Sequence, residues 1–187
     1  MTFSDVLTNY RTKRPQLVAI LKSEDQAQLT ADLTAFFGKN EGSYLRHAAV
    51  LAAQEKLFLP SWHWPAFLTL GYGWALYRRL YTLAAGLFTA QFITTMTGTN
   101  PRLVPAAVVL LVAYFVMVIF MALFAKSIYL GFALNAIARA DDRRIVAHKR
   151  AEYIAKQGGT SILAGLAGIA VQIVAILITA IAASPTP

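Results

Sequence analysis

The run from Leu103 to Phe124, LVPAAVVLLVAYFVMVIFMALF, contains no charged side chain. An apolar stretch of more than about eighteen residues is long enough for a helix to cross the hydrocarbon of a bilayer. In water the same helix would need burial on every side. Two further stretches have a similar character. Leu80 to about Thr97 ends at the turn signal Gly98-Thr99-Asn100-Pro101. Ile162 to about Ala183 is bounded by Gly158-Gly159 before it and Ser184-Pro185 after it. The expected fold is therefore an all-α integral membrane protein with about three transmembrane helices, spanning 80–97, 103–125 and 162–183 within a membrane domain of residues 80–187. Lys126 would end the second span by snorkelling to the interface, with Ile128–Ala138 continuing as an amphipathic or partly buried extension.

Ahead of these spans lies SWHWPAFLTLGYGWALYRRLY, Ser61–Tyr81, which holds every tryptophan of the chain. Trp and Tyr favour the headgroup level of a membrane, and Arg there meets phosphates while its stem stays apolar. Trp62, Trp64, Trp74, Tyr77, Arg78, Arg79 and Tyr81 are thus expected at the membrane interface in contact with lipid. The apolar part falls short of the roughly twenty residues a crossing needs, and Pro65, Gly71 and Gly73 interrupt helical regularity. Residues 61–79 are expected to form a re-entrant or interfacial segment.

Residues 1–60 look different: a charged helical arm of cytosolic type. Ser23 followed by Gln26 reads as a capping box, and Leu29, Leu33, Phe36 and Phe37 share one helical face. Gly38 is placed as a C-terminal cap, Lys39-Asn40-Glu41-Gly42 as a turn, and Tyr44, Ala48, Leu51, Ala52 and Glu55 as a second helix. Such a pair is too small for a core of its own. The tryptophan-rich stretch or the bilayer surface is expected to cover Phe36 and Phe37.

Charge sets the topology. The chain carries 17 Lys and Arg against 9 Asp and Glu, a formal charge of +8. Basic residues collect in the arm, at Arg78-Arg79 and between Arg139 and Lys156, whereas the loop between the first two spans holds only Arg102. The positive-inside rule then places the N-terminus in the cytoplasm, the Arg102 loop outside, the Arg139–Lys156 loop inside and the C-terminus outside. The same rule accounts for the basic balance without nucleic acid as a partner. The opening MTFSDVLTNYRTKRP has no signal-peptide core, so insertion is expected to use the internal spans.

The pattern Gly38-Lys39-Asn40, Tyr44, Trp64-Pro65-Ala66-Phe67 and Trp74-Ala75-Leu76-Tyr77-Arg78-Arg79-Leu80-Tyr81 resembles the uncharacterised bacterial inner-membrane family catalogued as domain of unknown function 2628. Asn135 ahead of Arg139 and Arg143 fits the family loosely. The resemblance covers roughly residues 32–150. It departs from the family between Phe67 and Trp74, where the gap is longer and Gly71 and Gly73 replace a Gly-Pro turn. It implies a multi-pass protein of the bacterial inner membrane with a cytoplasmic N-terminus, and it supplies no activity.

Candidate chemistry is sparse. No cysteine is present, which removes disulfides, thiolate metal sites and lipidated anchors. His47, His63 and His148 lie outside the expected spans, so no paired ligands for haem or metal are expected and no cofactor is assigned. Asp141 and Asp142, among Arg139, Arg143 and Arg144, read as a solvated ion-pair cluster. Gln91 and Gln172, with Thr89, Thr94 and Thr95, are the polar groups within spans. They would either line a pore or, the preferred reading, join helices by hydrogen bonds. Gly165 and Gly168, with Ala164 and Ala175, form a small face suited to close helix packing or self-association.

The expected function is that of a non-enzymatic structural or interaction subunit of a membrane complex. Its partners would be anionic lipid headgroups and another membrane protein or a second copy. The alternatives are a small channel or transporter component and a lipid or membrane-state sensor.

Overall fold

The computed structural model describes residues 13–38 and 41–183, with side chains to residue 175. The Lys39-Asn40 part of the expected turn, the Ser184-Pro185 boundary and the C-terminal tail lie outside the described residues. Among the described residues the secondary structure is helical, with no strand. The elements are α1 (13–21), α2 (Gln26–Phe37), α3 (Gly42–Ala53), α4 (Trp64–Leu68), α5 (Tyr72–Tyr77), α6 (Tyr81–Gly98), a 3-10 turn (Pro101–Leu103), α7 (Val104–Asp142), α8 (Ala147–Gln157) and α9 (Ile162–Ala183). They form two compact units: the chain up to Ser61 with Phe124–Thr160, and Trp62–Leu123 with the chain from Ser161.

In the first unit, residues 124–160 share a core with the arm. The stripe Leu29, Leu33, Phe36 and Phe37 is buried as the helical spacing requires. Its cover, however, is the second part of α7 and α8, not the tryptophan-rich stretch. Tyr129 of α7 packs against Phe36, Phe37 and Tyr44 with ring centroids 5.1, 5.5 and 5.4 Å away. Its hydroxyl donates to the Gly159 carbonyl at 3.0 Å. Gly159 N–H in turn donates to the Phe36 carbonyl at 2.7 Å. Beside it, a Cβ on Gly158 would collide with that carbonyl and the Phe36 ring, so only glycine permits the approach.

Local signals were partly right. Gly38 caps α2 with φ of 61° and an N–H bond to Thr34 O. The N-cap is Asp25 and not Ser23, because the Asp25 carboxylate accepts from Gln28 N–H at 2.8 Å. The Gln26 amide reaches back only to the Ser23 carbonyl. Four helices end without glycine on a left-handed residue: Glu55, Leu70, Arg79 and Arg144. In each case the next residue's N–H closes back onto the last turn, as Leu80 N does on Ala75 O at 2.8 Å. These are Schellman closures, whose hydrogen bonds offset the left-handed penalty.

The second unit is a bundle with a readable direction. Tyr77 O accepts from Ser161 N–H at 2.8 Å where α6 and α9 begin, and Gln91 meets Gln172 further along both. The two helices therefore run parallel. α7 runs against them: Gly98 faces Ala107, Tyr114 reaches Gln91, and His63 N–H donates to Ala122 O at 2.9 Å. α5 lies antiparallel to α9, with Tyr77 beside Gly165 and Gly73 beside Gly168. The segment 62–79 thus goes in as α4, turns at Leu70-Gly71 beside Leu87 and Met121, and returns as α5.

Two helical stretches are long and apolar enough to cross a membrane, Pro101–Asp142 and Ala147–Ala175. They are compatible with a membrane location. α6 has the length expected of a span but is not one of the two, its composition being diluted by threonines and Gln91.

Candidate functional site

The α9 helix approaches α5 closely because Gly168 and Gly165 face it. A Cβ on Gly168 would meet Leu76 Cδ1 at 2.9 Å and Gly73 Cα at 3.4 Å. The small face of α9 is therefore used within the chain, against α5, and not left as a free surface for a second copy. This contact brings four polar side chains together in otherwise apolar surroundings. Tyr72 hydroxyl donates to Gln172 Oε1, and Gln91 Nε2 donates to the same oxygen at 2.8 Å. Tyr114 hydroxyl lies 3.3 Å from Gln91 Oε1 and 3.2 Å from Leu70 O. Tyr72 and Tyr114 are buried, and the two glutamines half-buried.

The cluster ties α5, α6, α7 and α9 at one level. Sequence reading singled out the glutamines but missed the tyrosines, which look like two more aromatics in an apolar run. Each group finds its partner inside the cluster, so the arrangement is that of interhelical hydrogen bonding. Gln172→Leu is expected to strand the Tyr72 hydroxyl and the Gln91 amide and to cost about 1–2 kcal/mol. A lowered melting temperature of the purified chain, with little recovery in Gln172→Glu at neutral pH, would measure it.

Two threonines of α6 bond locally. Thr94 and Thr97 hydroxyls donate to the carbonyls four residues back, at 2.9 and 2.8 Å. Both bonds lie within α6.

The interface set divides. Trp64 is 60% exposed and Tyr81 55%, with Trp62 and Arg79 also exposed and Tyr77 half-buried. Trp64 packs edge to face on Trp62 and Phe67, which meet each other at a tilt, as one aromatic cluster. Trp74 and Arg78 depart from the expected lipid contact, since both are buried. They stand four residues apart and so share a face, and α5 turns that face inward, Trp74 resting against the His63 ring at 5.7 Å.

The first unit holds most of the charged groups. His47, outside the expected spans, is buried with Nε2 2.8 Å from Ser127 Oγ. A serine–histidine contact raises the question of a nucleophile. Ser127 is fully buried, however, and its hydroxyl is held by the N–H and C=O of Leu59 at 3.2 and 3.0 Å. It pins the 57–60 segment to α7. His63 is half-buried and His148 exposed. Among the described residues no group of three or more His, Asp or Glu converges as a metal site would require. Lys126, expected to snorkel, donates to Ser61 Oγ at 3.1 Å.

Burial, and after it the Lys126 ammonium, hold the His47 imidazole below its ordinary protonation range. A histidine depressed in the folded state takes up protons more readily when unfolded. Its contribution is complete above the unfolded value near pH 6.5 and is lost as pH falls from there through the folded value. Melting temperature is thus expected to fall between about pH 7 and pH 5, and the fall should flatten in His47→Gln. An equally steep fall in the variant would assign it elsewhere.

Asp141 joins an ion pair, as expected of that cluster, but its partner is Arg150 at 2.5 Å. The same guanidinium holds Asp32 with Nε and Nη2, at 2.9 and 2.7 Å to Oδ2. The Asp32 side chain is 3% exposed. Sequence reading passed over both residues. A signal was present: Asp32 falls within the apolar stripe between Leu29 and Leu33, where a charge needs a partner.

No protein-family model matches this chain. No curated protein and no solved structure gives a significant match either.

Proposed function

We propose that the chain is a three-span integral membrane protein with a non-enzymatic role, a structural or interaction subunit of a membrane complex. The spans are α6, residues 104–123 of α7, and α9. The observation that carries the membrane part is the exposure of the apolar helices: Val109 is 68% and Leu163 82% exposed. A soluble core helix would hide such residues, and large exposed apolar faces mark protein or membrane contact.

Three further features support the reading. α6 is 18 residues long, roughly 27 Å at 1.5 Å per residue, and Thr94, Thr97 and Gln91 have internal partners, which lowers the cost of these polar groups in lipid. The alternating directions of α6, α7 and α9 suit three successive crossings. Residues 62–79 enter and leave at the bundle end where α6 and α9 begin, which suits a re-entrant segment. By the positive-inside rule, the basic residues at Arg78-Arg79 and between Arg139 and Lys156 support a cytoplasmic N-terminus and a C-terminus outside. The motif resemblance adds the bacterial inner membrane. The role as an interaction subunit rests on the absence of an assembled reactive site among the described residues and on the outward aromatic and apolar faces. The channel reading has less support, because the glutamines are engaged with one another and with tyrosines.

Because the chain lacks cysteine, single cysteines report topology cleanly. Asn100→Cys is expected to react with an impermeant thiol reagent in intact cells, and Lys149→Cys only after permeabilisation. Reaction of both from the same side would sink the three-span arrangement. For the role, gentle-detergent purification from the native membrane followed by mass spectrometry should return a membrane partner at fixed stoichiometry. A single species that conducts ions or solutes when reconstituted alone would favour the channel instead.

A further inference from the structure

Residues 56–63, between α3 and α4, form no helix. Side chains of α7 hold this segment: Ser127 Oγ meets both the N–H and the C=O of Leu59, and Lys126 Nζ donates to Ser61 Oγ. A serine hydroxyl has one proton and two lone pairs. Leu59 O can only accept, so it takes that proton, and Oγ accepts from Leu59 N–H and from His47 Nε2. The neutral imidazole therefore carries its proton on Nε2, and Nδ1 is the nitrogen that acid protonates. That second proton makes a cation where water is scarce, since His47 is 8% exposed and Ser127 fully buried. The charge that acts on the ring is the Lys126 ammonium of α7, which repels. On α1, Lys13, Arg14 and Lys22 are exposed while Leu17 and Leu21 turn inward. The Asp32 carboxylate of α2 is held by Arg150 of α8, and Glu55, after α3, by Lys22. One turn away on α3 stand Ser43, Tyr44, Val50 and Leu51, and residues 57–60 are Leu-Phe-Leu-Pro.

We propose that the Ser127 junction is an acid-released latch: protonation of His47 frees residues 57–61 from α7 while the packing of α2 and α3 stays closed. Letting go of this segment is the least costly way to bring water to the cation. It breaks the ties at Leu59 and Ser61 and uncovers the buried Leu57. Moving α3 would also part Tyr44 from Phe37 and Tyr129. Segments with few bonds of their own open at a lower free energy than the whole structure. Residues 57–61 lead directly into Trp62, so the latch makes the chain ahead of the tryptophan-rich stretch responsive to acid.

The test is hydrogen exchange of the full chain in mild detergent at about pH 7.5 and pH 5.5, each rate divided by its unprotected value at the same pH. The Leu59 amide is expected to lose protection several-fold at the lower pH. The ceiling is about tenfold for a histidine that titrates near 6.5 once released. Peptides from α2 and α3 should keep their protection. His47→Gln preserves an N–H donor for Ser127 but cannot titrate, and it should hold Leu59 protected at both pH values. Ser127→Ala should leave Leu59 unprotected at both. Protection in wild type that is unchanged between the two pH values overturns the proposal. So does an equal loss in a folded His47→Gln chain, a Leu59 amide still protected in Ser127→Ala, or a simultaneous loss across α2 and α3. A second readout needs no variant. The nitrogen chemical shifts of His47 at neutral pH should place the proton on Nε2, and a proton on Nδ1 instead overturns the hydrogen-bond assignment on which the latch depends.

Discussion

Replacing Arg150 by alanine is expected to remove about 3–5 kcal/mol from the unit formed by the arm and residues 124–160, because it leaves the Asp32 carboxylate buried without its counter-charge. Arg150 is itself mostly enclosed, with its side chain 17% exposed. Its hydrogen bonds to Asp32, above all, hold the guanidinium protonated more firmly than usual. The loss should appear as a lower melting temperature and as protease cleavage of the arm under conditions in which wild type resists. Arg150→Lys should recover only part, since an ammonium cannot grip Asp32 through two nitrogens while also reaching Asp141. The decisive variant is the double replacement Asp32→Leu with Arg150→Leu. If the penalty comes from an uncompensated charge and not from lost packing, the double variant will be more stable than Arg150→Ala. A double variant as weak as the single one would refute that explanation.

Tyr129→Ala is expected to cost a similar amount, about 3–5 kcal/mol, by opening a cavity among Phe36, Phe37 and Tyr44. The residue is fully buried and touches all three rings. Tyr129→Phe keeps the ring and loses only the bond to Gly159 O, so about 1 kcal/mol is expected. Denaturant titration monitored by near-ultraviolet circular dichroism can separate the two, because the aromatic cluster supplies its own signal. Equal losses in both variants would mean that the hydroxyl, and not the ring, organises this core.

These two residues also mark where the sequence stopped being legible. Helices α2 and α3, the glycine cap at residue 38 and the long apolar helices follow from periodicity and local chemistry, and all are present close to the expected bounds. What lies over Phe36 and Phe37 does not follow, because apolar burial is non-directional and any large apolar surface would serve. Tyr129 lies in a stretch that read as an extension of a span, with no local mark to pair it with the arm. At the tryptophan-rich stretch, Trp62 and Trp64 are exposed and in ring contact. Composition could not tell that the short helix α5 would turn Trp74 and Arg78 inward, since that depends on tertiary packing such as the contact of Trp74 with the His63 ring. The hydrogen-bonded cluster was half legible: glutamines stand out in an apolar run, tyrosines do not.

The bond between Gly159 N and Phe36 O has a consequence for the order of events during synthesis. When Phe36 leaves the ribosome, the residues that cover it do not yet exist. About 120 more must be added, which takes roughly 6–25 seconds at bacterial and eukaryotic elongation rates. The arm's aromatic stripe waits through that interval, while the first two apolar helices are made. A ribosome stalled before residue 129 would present an arm with Phe36 and Phe37 bare to chaperones and proteases. One stalled after residue 160 would present it closed.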